Sequence, residues 1–239
     1  MAAAIVMSMS VAWAQSFRAD AGEDDRVKQR VQTRLAGQIA LHIESLGIEV
    51  EDGNLHLTGI VGSLGEKTRA ERVVGGIVGV KAITNDLSIR PSDRSETAIA
   101  QEVQRQLETR TRFRRTPIQV TVSGTEVTLG GVVERALDRL DAEEIAAEAQ
   151  GVTRVINTLQ IRSEGTHSAE SIRSRVLSIL TNPLTFGAIR HPEVSVEAGV
   201  VTLQGVVSRD GERVEAERLT LGVPGVTGVI NLLKVGGGS

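Results

Sequence analysis

The 239 residues carry 27 basic and 30 acidic side chains, so a net charge of only −3 gives no global field to recruit nucleic acid, and any charged partner has to be met by a local patch. One Trp, three Phe and no Tyr are too few for stacking platforms that read single-stranded nucleic acid or for ring-lined carbohydrate clefts. Cysteine is absent, which excludes disulfides, thiolate catalysis, thiolate metal sites and a lipid anchor on an N-terminal cysteine.

The chain opens with the apolar run MAAAIVMSMSVAWAQ, which ends in the A-x-A pattern Ala12, Trp13, Ala14 that is typical of cleavage after export. Residues 1–14 are therefore expected to be a signal peptide and 15–25 a linker. The alternative is a frayed apolar N-terminus of a protein that stays in the cytoplasm. From residue 26 one order of elements repeats three times: helix, strand, strand, helix, strand. The opening helices place apolar residues three or four apart, at Val27, Val31 and Leu35, then Ile99, Val103 and Leu107, then Ile172, Val176, Ile179 and Leu180. Alternation at Ile118, Val120 and Val122 marks a half-buried first strand. Turn residues such as EDGN at 51–54 return the chain into a second strand with Leu55, Leu57, Gly59 and Val61 on one face. SLGE at 63–66 has capping-box spacing for the second helix, and Ile83, Leu87 and Ile89 mark the last strand.

The copies are in strict register. Gly59, Gly131 and Gly205 each lie 20 residues before the glycine of a nonapeptide, GVKAITNDL, GVTRVINTL or GVTGVINLL, and 26 before its asparagine. Counted from that first glycine, every copy has Leu at −2, Val at +2, an acid at +7, a base at +8, Ala at +11 and Glu at +12. The predicted fold is α+β: three tandem small two-layer αββαβ domains at 26–91, 95–163 and 168–236, each a three-stranded mixed sheet packed on two helices. A unit of this size buries about 60% of its unfolded surface, so contacts between units are expected to add stability.

By period-two counting, Asn85, Asn157 and Asn231 fall on the apolar face of the last strand, where an amide needs partners; a bond to nearby backbone at a loop or bulge would supply them. The other reading of these amides is ligand contact. Gly59, Gly131 and Gly205 suggest close approach of a helix to the sheet, opposite the +11 alanine. The charges at +7, +8 and +12 read as a solvated helix face. His42, His56, His167 and His191 show no metal-ligand spacing, and no nucleophile elbow, phosphate loop or dinucleotide fingerprint appears. No enzymatic activity, cofactor, metal or nucleic-acid partner is expected.

One feature lies outside the repeat. TRTRFRRTP at 109–117 sets Arg110, Arg112, Arg114 and Arg115 around Phe113. If the ring protrudes, this suits an anionic lipid surface, with guanidinium groups on phosphates and the ring in the interface. If instead the ring fills the core, the arginines are solvated or paired with neighbouring acids.

The αββαβ order, the apolar-T/Q-L-x-G-x-V strand and the G-V-x-x-V-x-N-x-L terminal strand together resemble BON domains, the bacterial osmotic-shock and nodulation module. The third copy, with NPLTFGAIRHPEVSVEAGVVTLQGVV, resembles it best, and the first, with LTGIVGSLGE and VKAITNDL, is the loosest. The resemblance implies a non-catalytic, periplasmic envelope protein linked to osmotic stress, and the lack of cysteine sets the chain apart from lipid-anchored members of that family. It would attach to anionic phospholipid or envelope surfaces, with the second copy the expected contact. An assembly module that pairs with itself or with other envelope proteins is the alternative, and a chaperone for unfolded clients is a third reading.

Overall fold

The computed structural model describes residues 22–38, 41–114, 116–162, 167–182 and 189–236. The expected signal peptide lies outside them. The chain is mixed α+β. Its first repeat runs α1 (22–36), β1 (Glu44–Glu51), β2 (Asn54–Val61), α2 (Leu64–Gly75) and β3 (Ala82–Ile89). The second runs α3 (Glu96–Thr109), β4 (Gln119–Ser123), β5 (Glu126–Gly130), β6 (Val132–Val133), α4 (Ala136–Ala147), β7 (Arg154–Asn157) and β8 (Gln160–Ile161). The third runs α5 (Ala169–Leu180), β9 (Arg190–Glu197), β10 (Val200–Val207), α6 (Asp210–Leu221), β11 (Gly228–Asn231) and β12 (Lys234–Val235).

Helix α1 begins inside the stretch expected to be linker. Residues 22–25 are helical, and Asp24 there accepts hydrogen bonds from the Asp52 and Gly53 amides of the β1–β2 turn at 2.8 and 2.9 Å. The acid thus suits the positive end of α1 and satisfies two turn donors.

In the sheets of three and four strands the second strand of the repeat is central, whereas the expected single three-stranded sheet of the second repeat is split, β6 and β8 pairing apart in a parallel two-stranded sheet. β1 pairs antiparallel with β2, and β2 parallel with β3, the α2 crossover making the parallel pairing possible. The third repeat has the same plan, β9 antiparallel and β11 and β12 parallel to β10. Asp52–Gly53 and Ala198–Gly199 close their hairpins with positive φ at both positions, the type I′ geometry that matches strand twist. The helices cover one face of the sheet. Val27, Val31 and Leu35 of α1 and Ala70 and Val74 of α2 are buried with Ile48, Leu55, Leu57, Val61 and Leu87 in one core. Their counterparts Ile172, Val176, Leu180, Ala216, Val194, Val201, Leu203 and Val207 form the core of the third repeat.

The reference glycine has a different cause from the one expected. Gly59, Gly131 and Gly205 have φ of 141°, 125° and 140°, and a Cβ there would lie 2.9, 2.5 and 3.0 Å from the carbonyl oxygens of Glu44, Pro117 and His191. In the first and third repeats the neighbouring strand approaches, at a bulge where the hairpin shifts register, and in the second the segment just before β4 does; in none is it a helix. The +11 alanines, Ala70, Ala142 and Ala216, are nonetheless fully buried, so small size is used there as well.

By contact density the described residues form two compact units. One comprises those up to Glu102 with Ser123–Glu126 and Ala146–Arg154; the other comprises Val103–Val122, Val127–Ile145 and Val155 onward.

Candidate functional site

The repeated asparagine is a structural lock. In each repeat its Nδ2 donates to the backbone carbonyl of the +8 residue, at 3.0 Å for Asn85 to Lys67 and 2.8 Å for Asn157 to Arg139 and Asn231 to Arg213. Nδ2 also donates to the +12 glutamate: Asn85 to Glu71 at 3.1 Å, Asn157 to Glu143 at 3.0 Å and Asn231 to Glu217 at 3.1 Å. Oδ1 accepts from the amide two residues on, Leu87, Leu159 or Leu233, at 3.3, 3.2 and 3.2 Å. One amide group therefore ties the last strand to the middle of the second helix, three times over. The +12 glutamate, expected on a solvated face, is half of that lock.

The +7 acid has a task too. Glu66 accepts from the Gly62 amide at 2.7 Å while the Ser63 hydroxyl accepts from the Glu66 amide at 3.2 Å, a variant of the capping box in which the glutamate reaches one residue before the N-cap. Glu212 accepts from the Ser208 amide at 2.9 Å, and that bond holds its carboxyl below the usual carboxylate range, Arg209 adding to the effect. Asn231→Ala would leave the partly buried Arg213 carbonyl and Glu217 carboxylate to water and take the side-chain acceptor from the amide of the buried Leu233. The expected loss is about 1–2 kcal/mol, read as an earlier thermal transition of the third repeat; an unchanged transition would deny the lock its role.

The arginine turn follows α3. Backbone bonds from the Arg110 amide to Leu107, from Phe113 to Arg110 and from Thr116 to Phe113, at 3.0, 2.9 and 3.0 Å, continue the coil by single turns. They carry Phe113 back into the interior, where it is 3% exposed. The ring does not protrude, and its insertion into a lipid interface is corrected to a packing role. Arg112 lies over that ring at 5.2 Å and pairs with Asp141, and its Nε stands 3.7 Å from Asp138. Both carboxylates are buried. Arg135 holds Asp138 through two bonds of 3.0 Å, and Arg218 approaches Asp141 at 3.7 Å. Two acids one turn apart on α4 are thus enclosed by three guanidinium groups, an arrangement that fixes side chains and offers no unpaired base or nucleophile.

Arg110 and Arg114 remain at the surface, Arg114 donating to the Glu108 carbonyl at 3.4 Å. Arg115 lies outside the described residues. Among the described residues no group of three or more His, Asp or Glu side chains is placed to hold a metal. On the open face of the first sheet His56 contacts Asp86 at 2.8 Å and Glu49 at 3.8 Å, a cross-strand set that the sequence did not suggest.

Comparison with known proteins gives these features a family. Over 149 residues the chain is 30% identical to osmotically-inducible protein Y of Escherichia coli (strain K12), spanning 58% of this chain and 72% of that protein. Two solved structures of CdsD, a structural protein of the type III secretion system of Chlamydia trachomatis, align over 86% and 87% of this chain and 94% and 91% of theirs. Their sequence identities are 15% and 14%, with TM-scores of 0.24 and 0.25. The family model described as BON domain matches residues 23–91, 95–163 and 168–237. With three matches spanning most of its length, the chain belongs to the BON-domain family.

Proposed function

We propose that this chain is a non-catalytic binding protein of the bacterial envelope that serves osmotic-stress tolerance by attaching reversibly to anionic phospholipid surfaces. The osmotic link is supported by the similarity to osmotically-inducible protein Y, 72% of which the chain covers. The observation that carries the attachment is the turn after α3: the buried Phe113 pins it, and Arg110 and Arg114 are held exposed on either side. Attachment is then electrostatic, with no inserted ring. At about 1 kcal/mol for each basic side chain near an anionic surface, two arginines give weak binding that salt abolishes. No described helix is long and apolar enough to cross a membrane.

Vesicle flotation tests this with the chain from residue 15 onward, neutral against phosphatidylserine-containing vesicles, at low and high salt, beside Arg110→Glu/Arg114→Glu. Binding confined to anionic vesicles, lost at high salt and lost in the variant, is the expected result. Binding to neutral vesicles, or binding that the variant retains, overturns it.

A further inference from the structure

The repeats touch one another by a rule, and among the described residues the rule leaves two ends uncovered. In the first compact unit the start of α2 meets the end of α4. The Leu64 amide donates to the Val152 carbonyl and the Gly151 amide to the Gly62 carbonyl, both at 3.1 Å, and Arg69 pairs with Glu148. A Cβ at Gly65 would lie 2.7 Å from the Glu148 carboxyl group. In the second unit the start of α4 meets the end of α6: a Cβ at Gly222 would lie 3.5 Å from Leu137, and Asp141 approaches Arg218 at 3.7 Å.

Counted from the reference glycine, both junctions join the same positions. Position +6 of one repeat, Gly65 or Leu137, faces +17 of the next, Glu148 or Gly222, and one of the two is a glycine each time. Position +10, Arg69 or Asp141, carries the charge that meets its opposite at +17 or +13. The start of each second helix is a head and its end is a tail, and head meets tail twice in one chain.

The third repeat keeps a head and the first a tail. The head offers Gly211 at +6, where a Cβ would meet nothing within 4 Å, with Val214 54% exposed and the acid Glu215 at +10. The tail offers Gly76 at +17, equally open, with Val78 82% exposed. A groove lined by Arg30, Thr33, Arg34, Gly37 and Ile77 opens beside Val78, whose carbonyl Arg30 holds at 2.9 Å. Stacked-repeat proteins that end as monomers cover their terminal faces with polar side chains. Here Val78 is the most exposed large apolar side chain among the described residues.

We infer that this protein associates with itself head to tail, the α6 start of one copy docking on the α2 end of another, through the contact that its own repeats make internally. The occupant of each free end is a second copy of this chain. Such an interface is heterologous, so it propagates into a series, or into a ring where the rotation closes.

Sedimentation velocity over a concentration series tests this on the chain from residue 15 onward. A head-blocked variant, Gly211→Arg/Val214→Arg, and a tail-blocked one, Gly76→Arg/Val78→Arg, change exposed positions without positive φ and are checked for fold by circular dichroism. The wild type is expected to grow in mass with concentration and each variant to stay monomeric. An equimolar mixture should form a dimer and stop there, because the tail-blocked copy supplies a head and the head-blocked copy a tail. A wild type that is monomeric throughout overturns the inference. So does a folded variant that still associates by itself, or a mixture that yields no dimer.

Discussion

Gly131→Ala is expected to destabilise the second repeat by about 3–4 kcal/mol. Two costs combine. At φ of 125° the backbone is in a region that is essentially glycine's own, which costs an L residue about 1–3 kcal/mol. The new methyl carbon would also stand 2.5 Å from the Pro117 carbonyl oxygen, a backbone atom just before β4 that cannot rotate away as a side-chain terminus does. Moving that segment disturbs the buried Ile118 next to it, and overpacking of this kind adds about 1–3 kcal/mol. For a unit of this size each kcal/mol shifts the melting temperature by about 4–8 °C, so the transition of the second repeat should fall by more than ten degrees. Gly130→Ala is the control, because its Cβ would have only the Thr158 hydroxyl at 3.7 Å and its φ is not positive. It should stay within about 0.5 kcal/mol of wild type. Equal effects at the two neighbouring positions would show that the positive φ and the Pro117 contact are not what require glycine.

The same glycines show what the sequence made legible. Triplication at constant offsets marked Gly59, Gly131 and Gly205 as special, and the periodicity of α1, α3 and α5 placed Val27, Val31, Ile99, Val103 and Val176 in the interior before any coordinates. Local geometry is carried by local sequence, so the hairpins and the Ser63 cap were readable. The reason for the glycine was not, because it depends on a strand that arrives from the other side of a bulge. The asparagine lock shows a second limit. Its partners lie 18 and 14 residues earlier, on a helix whose rotation over the sheet no strand pattern specifies. Glu71, Glu143 and Glu217 at a fixed distance before each asparagine were the available signal, and a helix-face reading absorbed them as solvated charge. Phe113 shows a third. An aromatic among arginines looks exposed in one dimension, yet two successive single turns, Leu107–Arg110 and Arg110–Phe113, return it to the interior.

That return decides what the arginines next to it do. Arg112→Ala is expected to cost about 2–3 kcal/mol, and Arg114→Ala within about 0.5 kcal/mol. Asp141 is 6% exposed, and without Arg112 its remaining cation is Arg218 at 3.7 Å, so a buried carboxylate loses its nearest counter-charge. The figure sits below that for breaking a fully buried pair because Arg112 is itself 36% exposed and water screens part of the interaction. The stem of Arg112 also leaves the Phe113 face, removing a stacked contact. A double-mutant cycle with Asp141→Asn separates these parts. The coupling should be about 1–2 kcal/mol, since neutralising Asp141 removes most of the penalty for losing Arg112. Equal melting temperatures for Arg112→Ala and Arg114→Ala would mean that the arginine is solvated. The consequence for the vesicle experiment is direct: a charge reversal at Arg112 would abolish binding by unfolding the second repeat, whereas Arg110→Glu/Arg114→Glu changes the surface alone and tests attachment.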